Sequence, residues 1–296
     1  MKGAIVTIGN FDGVHRGHQF MLRQVVERAR PLGLHSVAVT FEPHPQAVLH
    51  PERPLLSLCD PDEKCWLIRR LGIDDVWVCP FTREMSQLSP EAFMRQVADR
   101  QPIAEIWIGT DFALGQGRSG TVAVLAEIGR TEGWGLHVVP PYMLDGAVVS
   151  STRIRGFLAA GDVQAAAKLL GRPYAICGDL EFTTRGSLAL RTPRRRAVPA
   201  SGIYAARVYR GEVSFDAVAA VRSLDYVTQA ENLVCIEPLG KPPNTGRVSL
   251  AFVQLMRLSS NEGEQKPLDR ATASDRAAAR SVLAETVQLD SERAPC

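Results

Sequence analysis

The sequence predicts an α/β fold, with a parallel sheet covered by helices on both faces and a smaller β domain behind it. Three observations predict it. Short apolar runs alternate with amphipathic segments over the first half of the chain, which is the β-α-β order of a parallel sheet. A glycine-rich loop, Gly9 to His18, joins an apolar run to a segment of helical spacing. Beyond Tyr174 the helical spacing gives way to short β-like runs.

Taken in order, Ala4–Ile8 is a buried strand and Gln19 to Arg30 a helix. Ser36–Phe41 is the second strand. Asp60-Pro61-Asp62-Glu63 supplies a capping Asp, Pro at the first helical position and an acid in the first turn. That helix runs to about Leu71, and Gly72 stops it. Asp75–Cys79 is strand-like, and Ser89-Pro90-Glu91 opens the next helix in the same way. Ala104–Ile108 is a strand, Thr121–Arg130 a helix and Gly135–Val139 a strand. Ser150–Arg155 begins a helix and Asp162–Leu170 makes another. The runs Gly202–Tyr209, Leu233–Ile236 and Val248–Met256 carry the β domain. Three segments result: 1–173, 174–258, and a polar tail, 259–296, that is either helical or disordered.

Composition narrows the function. The 296 residues are 45% hydrophobic and 22% charged, ordinary for a globular protein with a sizeable core. A net charge of +2 gives no electrostatic footprint for nucleic acid. The six cysteines form no Cys-x-x-Cys pair, which argues against a zinc site or disulfide framework and fits a reducing, cytoplasmic setting. No stretch of about 18 apolar residues suggests a membrane span, and a strand so near the start leaves no room for a signal peptide.

The chemistry centres on the glycine loop. In an open parallel sheet, ligands sit beyond the carboxyl ends of the strands, and this loop follows the first one. Gly9, Gly13 and Gly17 let backbone N–H groups approach an anion. His15 and His18 are three apart at a helix start, where they share a face and meet the positive end of the helix. The bland reading is a glycine turn with two surface histidines. Gly115-Gln116-Gly117-Arg118-Ser119-Gly120 also fits G-x-G-x-x-G, but it lies too far beyond its strand for a dinucleotide site. A flexible loop presenting Arg118 is the better reading.

The string Gly9-Asn10-Phe11-Asp12-Gly13-Val14-His15-Arg16-Gly17-His18 resembles the signature of the prokaryotic bifunctional riboflavin kinase/FMN adenylyltransferases. Four further segments match in the same order: Thr40–Pro45, Gly109–Gly120, Ser150–Arg155, and Gly161-Asp162 with Leu169–Tyr174. The resemblance implies a Rossmann-like nucleotidylyltransferase domain followed by a barrel-like riboflavin-kinase-type domain. It implies that FMN attacks the α-phosphate of ATP in the presence of Mg²⁺, forming FAD and pyrophosphate with no covalent enzyme intermediate. His15, His18 and Arg153 then carry the catalysis. Gly9, Asn10, Phe11, Asp12, Gly17, Ser150, Ser151 and Arg155 bind the nucleotide. His44, Asp111 and Arg118 lie on the FMN side, and no protein metal site is assigned. Alternatives stay open at several positions. Ser150 and Ser151 cap a helix or touch phosphate; His44 lines the flavin phosphate or closes its loop; Asp12 orients a histidine, meets Mg²⁺ or caps a turn. One of Arg153 and Arg155 is expected to point away, because the two are two apart on a helix. Asp111 stands where the family often has Asn.

The second domain departs from the family. No Pro-Thr-Ala-Asn, the family's metal and phosphate motif, occurs in the chain, and the matching stretch is Gly178–Pro193. Pro199–Ala205 does resemble the strand that follows that motif. Glu231 and Glu237 lie in the region of the family's basic glutamate without convincing surroundings. The run Arg194-Arg195-Arg196 is expected to be a solvated basic loop. The leading expectation is therefore an FMN adenylyltransferase that has lost its kinase activity. A transferase acting on another phosphorylated acceptor and a non-catalytic flavin- or nucleotide-binding regulator remain the alternatives.

Overall fold

The computed structural model describes residues 3–53, 55–183, 186–222, 231–241, 245–258 and 271–286. The chain forms two compact units. Met1–Leu55 and Lys64–Val149 make the first, and Leu56–Glu63 with Ser150–Cys296 the second.

In the first unit, β1 (Ala4–Ile8), β2 (His35–Glu42), β3 (Asp75–Pro80), β4 (Ile103–Gly109) and β5 (Gly135–Val139) form a parallel sheet in the order β3-β2-β1-β4-β5. The apolar run at β1 is buried throughout because both sheet faces are covered. Its side chains alternate. Ile5 packs with Leu22, Val25, Val26 and Ala29 of α1 (Arg16–Leu32), while Val6 and Ile8 pack on the opposite side with Phe93, Met94 and Val97. Those three belong to α4 (Pro90–Arg100), which lies on that side with α5 (Val122–Glu132). A short α2 (Pro45–Leu49) follows β2, α3 (Pro61–Arg70) precedes β3, and a hairpin of β6 (Met143–Leu144) and β7 (Ala147–Val148) follows β5.

Ser89 caps α4 through its side chain and Gly72 takes the left-handed conformation after α3, as the sequence predicts; Thr121 and Gly133 do the same at the two ends of α5. Helix α1 is longer than its pattern, starting at Arg16 and continuing through Pro31. Glu105, buried on β4, accepts hydrogen bonds from Arg28 and from Trp107 Nε1, and lies 3.3 Å from His137.

In the second unit, α6 (Ser151–Ala159) and α7 (Val163–Leu170) precede a closed antiparallel barrel. Its strands are β8 (Tyr174–Phe182), β9 (Leu188–Pro193), β10 (Gly202–Arg210), β11 (Val213–Val221), β12 (Glu231–Pro238) and β13 (Gly246–Leu258), in the order β10-β11-β12-β9-β8-β13. Of the expected tail, residues 271–286 are described; 259–270 and 287–296 lie outside the described residues. The helix there, α8 (Ala273–Glu285), is a packed element of the unit. Ala279 and Leu283 are buried against Ile203, Ala205, Val218 and Ala220, the two alanines leaving room for the helix. Thr272 and Asp275 form its capping box.

One expectation needs correction here. The Arg194–Arg196 run is not a solvated loop throughout, because the Arg196 side chain is 0% exposed. Its Nη2 donates to Glu63 Oε2 at 2.7 Å and to the Ala175 carbonyl at 2.6 Å. The segment Leu56–Glu63 brings that glutamate. It is knitted to the barrel by Ser57 N to Arg195 O and Ala197 N to Ser57 O. A solitary Arg run carries no signal for a partner 133 residues away. Cys59, Cys65, Cys79 and Cys235 are free thiols.

Candidate functional site

Strand order reverses at β1, with β2 on one side and β4 on the other, so the loop after β1 emerges at a topological switch point. The loop is pinned along the end of β2. Gly9 N donates to Val39 O at 3.0 Å, and Thr40 Oγ1 donates to Asn10 O at 3.1 Å. It then turns through left-handed backbone at Phe11 (φ 48°), Gly13 (φ 79°) and Val14 (φ 39°). For a β-branched residue such as Val14 that conformation costs on the order of 1–3 kcal/mol. The surroundings hold it: Phe11 and Val14 are buried in the α1-side core, Val14 N donates to Phe11 O, and Gln19 Nε2 donates to Val14 O.

Phe11, expected on the nucleotide, is 1% exposed. Its ring lies under Gly9, where an added Cβ would come within 3.1 Å of it, and edge-on to His18 at 5.3 Å. Burial in the core gives it the task of shaping the loop.

His15 is the N-cap of α1, and its Nδ1 accepts from His18 N at 3.3 Å. With Nδ1 accepting, the ring in its neutral form carries its proton on Nε2. The two imidazoles stack with centroids 3.6 Å apart and planes 16° apart. His18 Nδ1 is shut off from solvent with no hydrogen-bond partner. Burial first, then the charges of His15 and Lys64, hold the His18 pKa well below the ordinary histidine value. His18 is thus a neutral imidazole at pH 7, with one N–H to offer and an unsatisfied ring nitrogen.

Lys64 was not singled out from the sequence. Its side chain, on α3, is 7% exposed, and Nζ donates to the Phe41 carbonyl at 3.0 Å, where β2 ends. The remaining expected residues are distributed as follows. Asn10 is exposed, Asp12 is buried, and Gly17 packs its α-carbon near the His15 ring. His44 caps α2, its Nδ1 accepting from Gln46 N at 3.1 Å. Asp111 and Arg118 come together in the loop after β4, where Arg118 Nη2 donates to the Asp111 carbonyl at 3.1 Å. Ser150 caps α6 in the second unit, its Oγ accepting from Arg153 N at 3.3 Å, and Ser151 is the first helical residue. Arg155 Nε donates to the Leu56 carbonyl at 2.9 Å, and the Arg153 guanidinium lies 5.8 Å from the centre of the Phe157 ring.

The first unit also holds a cavity of about 370 Å³ whose lining includes Trp77, Cys79, Met85, Leu88, Phe93 and Arg100. The Arg100 guanidinium lies over the Trp77 ring, and burial raises the Cys79 thiol pKa. No motif announced this cavity, since its residues are scattered, mostly apolar positions of β3, α4 and the loop between them.

Comparison with known proteins places these features in one family. The family model for FAD synthetase matches residues 1–153. A bifunctional riboflavin kinase/FMN adenylyltransferase of Pseudomonas fluorescens is 32% identical over 96% of this chain and 94% of its own length. The enzyme of that description from Escherichia coli K12 is 32% identical over 70% of this chain and 68% of its own. A putative one from Geobacillus thermodenitrificans is 37% identical over 59% of this chain. A solved structure described as a macrolide-efflux protein from Streptococcus pneumoniae superposes with a TM-score of 0.81 over 96% of this chain and 94% of its own, at 24% identity, which is a likeness of fold alone.

Proposed function

The chain belongs to the FAD synthetase family of nucleotidyltransferases, and from that premise we propose that it transfers AMP from ATP to FMN and no longer phosphorylates riboflavin. The observation that carries the transfer is the stacked His15–His18 pair at the start of α1, with a buried, unpartnered His18 nitrogen at the switch point of the sheet.

The chemistry suits such a site. An oxygen of the FMN phosphate forms a bond to the α-phosphorus of ATP, the bond from that phosphorus to the bridging oxygen breaks, and pyrophosphate leaves. The nucleophile is already an anion at pH 7, since the second pKa of a phosphate monoester is about 6. No general base is required. Positioning and stabilisation of charge on the phosphates do the work. The N–H groups of the Gly9–Gly17 loop, the α1 N-terminus and the imidazole N–H groups of His15 and His18 supply donors. Arg153 is the cation for the departing pyrophosphate. Arg155 Nε is engaged with the Leu56 carbonyl, which supports Arg153 as the arginine of the pair that meets the phosphates. Ser150 acts as a cap. His44, Asp111 and Arg118 serve the acceptor side, and the cavity beside Trp77 and Phe93 suits a flat aromatic ring system.

Mg²⁺ enters with ATP, held mainly by the phosphates themselves, the usual habit of this ion. Asp12 is the carboxylate of the loop that would face it. In the second unit, Asp60, Glu63 and Cys177 approach one another, but the Arg196 guanidinium already donates into that group. That donor set does not fit a cation.

What supports the loss of kinase activity is β9. In the stretch that stands in place of the family's metal and phosphate motif, the strand carries Leu188-Ala189-Leu190-Arg191-Thr192-Pro193. Thr192 is buried, with its hydroxyl committed to the Cys177 carbonyl, and Arg191 is paired with Glu181. Thr184 and Arg185 of the same stretch lie outside the described residues, as does the Glu231 side chain, while Glu237 is paired with Arg276.

Incubation with ATP, Mg²⁺ and FMN should yield FAD and pyrophosphate, whereas riboflavin in place of FMN should yield neither FMN nor FAD. Consumption of a different phosphorylated acceptor, with FMN untouched, would overturn the acceptor. Enzyme-dependent FMN formation would overturn the loss of kinase activity.

A further inference from the structure

Lys64 is a buried ammonium with unused donors at the ligand-bearing edge of the sheet. Burying a charge is unfavourable unless it is paired and hydrogen-bonded. An ammonium has three N–H donors. Among the described residues, Lys64 Nζ has one hydrogen-bond acceptor, the Phe41 carbonyl at 3.0 Å. Its nearest carboxylate, Glu42 Oε2, is 4.0 Å away on a side chain 44% exposed, too far to accept a hydrogen bond and well screened by solvent. The cation is therefore incompletely satisfied where it sits.

Its place narrows what would satisfy it. Phe41 lies at the carboxyl end of β2, the strand beside β1, and its neighbour Thr40 pins the glycine loop through the Asn10 carbonyl. The Lys64 charge is felt at His18. An anion drawn to the α1 N-terminus would thus meet a desolvated ammonium with two free donors.

We propose that Lys64 donates to a phosphate oxygen of the reacting substrates. The inference rests on the adenylyl-transfer reading above. The phosphate belongs either to the ATP chain or to FMN, and binding measured for each alone tells them apart. Holding Phe41 O with one proton leaves two N–H groups for the phosphate, and the charge stabilises the transfer most when negative charge concentrates there.

The test compares the full-length wild type with Lys64→Met, close to it in length but uncharged, and with Lys64→Arg. FAD formation is followed with ATP and FMN varied in turn, and calorimetry measures ATP and FMN binding separately. Lys64→Met should lose at least about tenfold in kcat/KM, the scale of one charge-assisted hydrogen bond. Lys64→Arg should recover part of that loss, and the Tm of Lys64→Met should not fall, since an under-satisfied buried charge has been removed. A weakened ATP affinity assigns the contact to the nucleotide, and a weakened FMN affinity assigns it to the acceptor. Wild-type kinetics in Lys64→Met would overturn the proposal. So would equal losses in the Met and Arg variants with a lowered Tm, the mark of a tie to Phe41 alone. If Lys64→Met does not fold, Lys64→Gln, which keeps a donor for Phe41 O, takes its place under the same criteria. If the wild type makes no FAD, the transfer reading fails on its own. The ATP arm then decides Lys64, with unchanged affinity in the variant, or none in the wild type, counting against it.

Discussion

Arg196→Ala is the substitution whose cost the structure fixes most closely. The guanidinium is fully out of solvent and makes two short hydrogen bonds, to Glu63 Oε2 at 2.7 Å and Ala175 O at 2.6 Å, with Asp60 Oδ1 at 3.7 Å. Removing it strands Glu63, whose side chain is 3% exposed and whose next cation, Arg172, is 4.0 Å away. Breaking a buried pair from one side costs about 3–5 kcal/mol, because the remaining charge is uncompensated. For a unit of roughly 150 residues each kcal/mol moves the Tm by about 2–4 °C, so a fall of about 6–20 °C is expected in the transition of the second unit. Removing both charges with apolar replacements, Arg196→Met with Glu63→Met, should restore most of that loss, since a well-packed apolar pair is often no worse than a buried ion pair. Scanning calorimetry on the two single variants and the double variant closes the cycle. A single variant costing under about 1 kcal/mol, or a double variant as unstable as the sum of the singles, would refute the reasoning that this pair fastens Leu56–Glu63 to the barrel.

His18→Ala should lower kcat for FAD formation by roughly 10²-fold or more, as when one preorganised donor is lost, and should leave the protein folded with a modest fall in Tm, since its Nδ1 has no partner among the described residues but its ring stacks on His15 and meets Phe11 edge-on; near-normal kcat and ATP KM would contradict the phosphate-gripping role. Glu105→Gln should destabilise the first unit by roughly 1 kcal/mol at neutral pH, the low end for a charged hydrogen bond because Arg28 is half exposed. The Arg28 hydrogen bond lowers the folded Glu105 pKa below its ordinary 4.5. The carboxylate's stabilisation is therefore complete above 4.5 and fades as pH falls through the lowered folded value. Denaturant midpoints for wild type and variant should converge only in that acidic range, and a gap unchanged there would contradict the assignment.

The parallel sheet was legible because its signal is local and strong. Ala4–Ile8 and Ser36–Phe41 are continuous apolar runs, and Ser89-Pro90 and Thr121 announce helix starts by cap chemistry that acts within one turn. The barrel was legible in part. Gly202–Tyr209 and Val248–Met256 stood out, but β8, β9 and β11 mix glycine, charges and alanines, and only closure into a barrel with α8 against it pairs and buries them. The packing of α8 was invisible for the same reason, since its apolar face is small, with Ala279, Val282 and Leu283 set among alanines and charges.

By itself the sequence determined the chemistry of the glycine loop. Three glycines and two histidines at fixed spacing after a buried strand dictate N–H donors and imidazoles at a helix start, because that geometry depends only on residues within one turn of each other. It also determined that the kinase motif is absent. The tertiary structure decided what depends on residues far apart in the chain. Phe11 turned inward because a core closed over it, and Arg196 became a buried ion-pair partner because Glu63 was brought to it. Lys64 acquired its place at the end of β2 by the packing of α3. Burial and long-range pairing are properties of the assembled core, and it is burial that leaves an ordinary lysine or histidine with an unmet hydrogen bond and that displaces the pKa of His18.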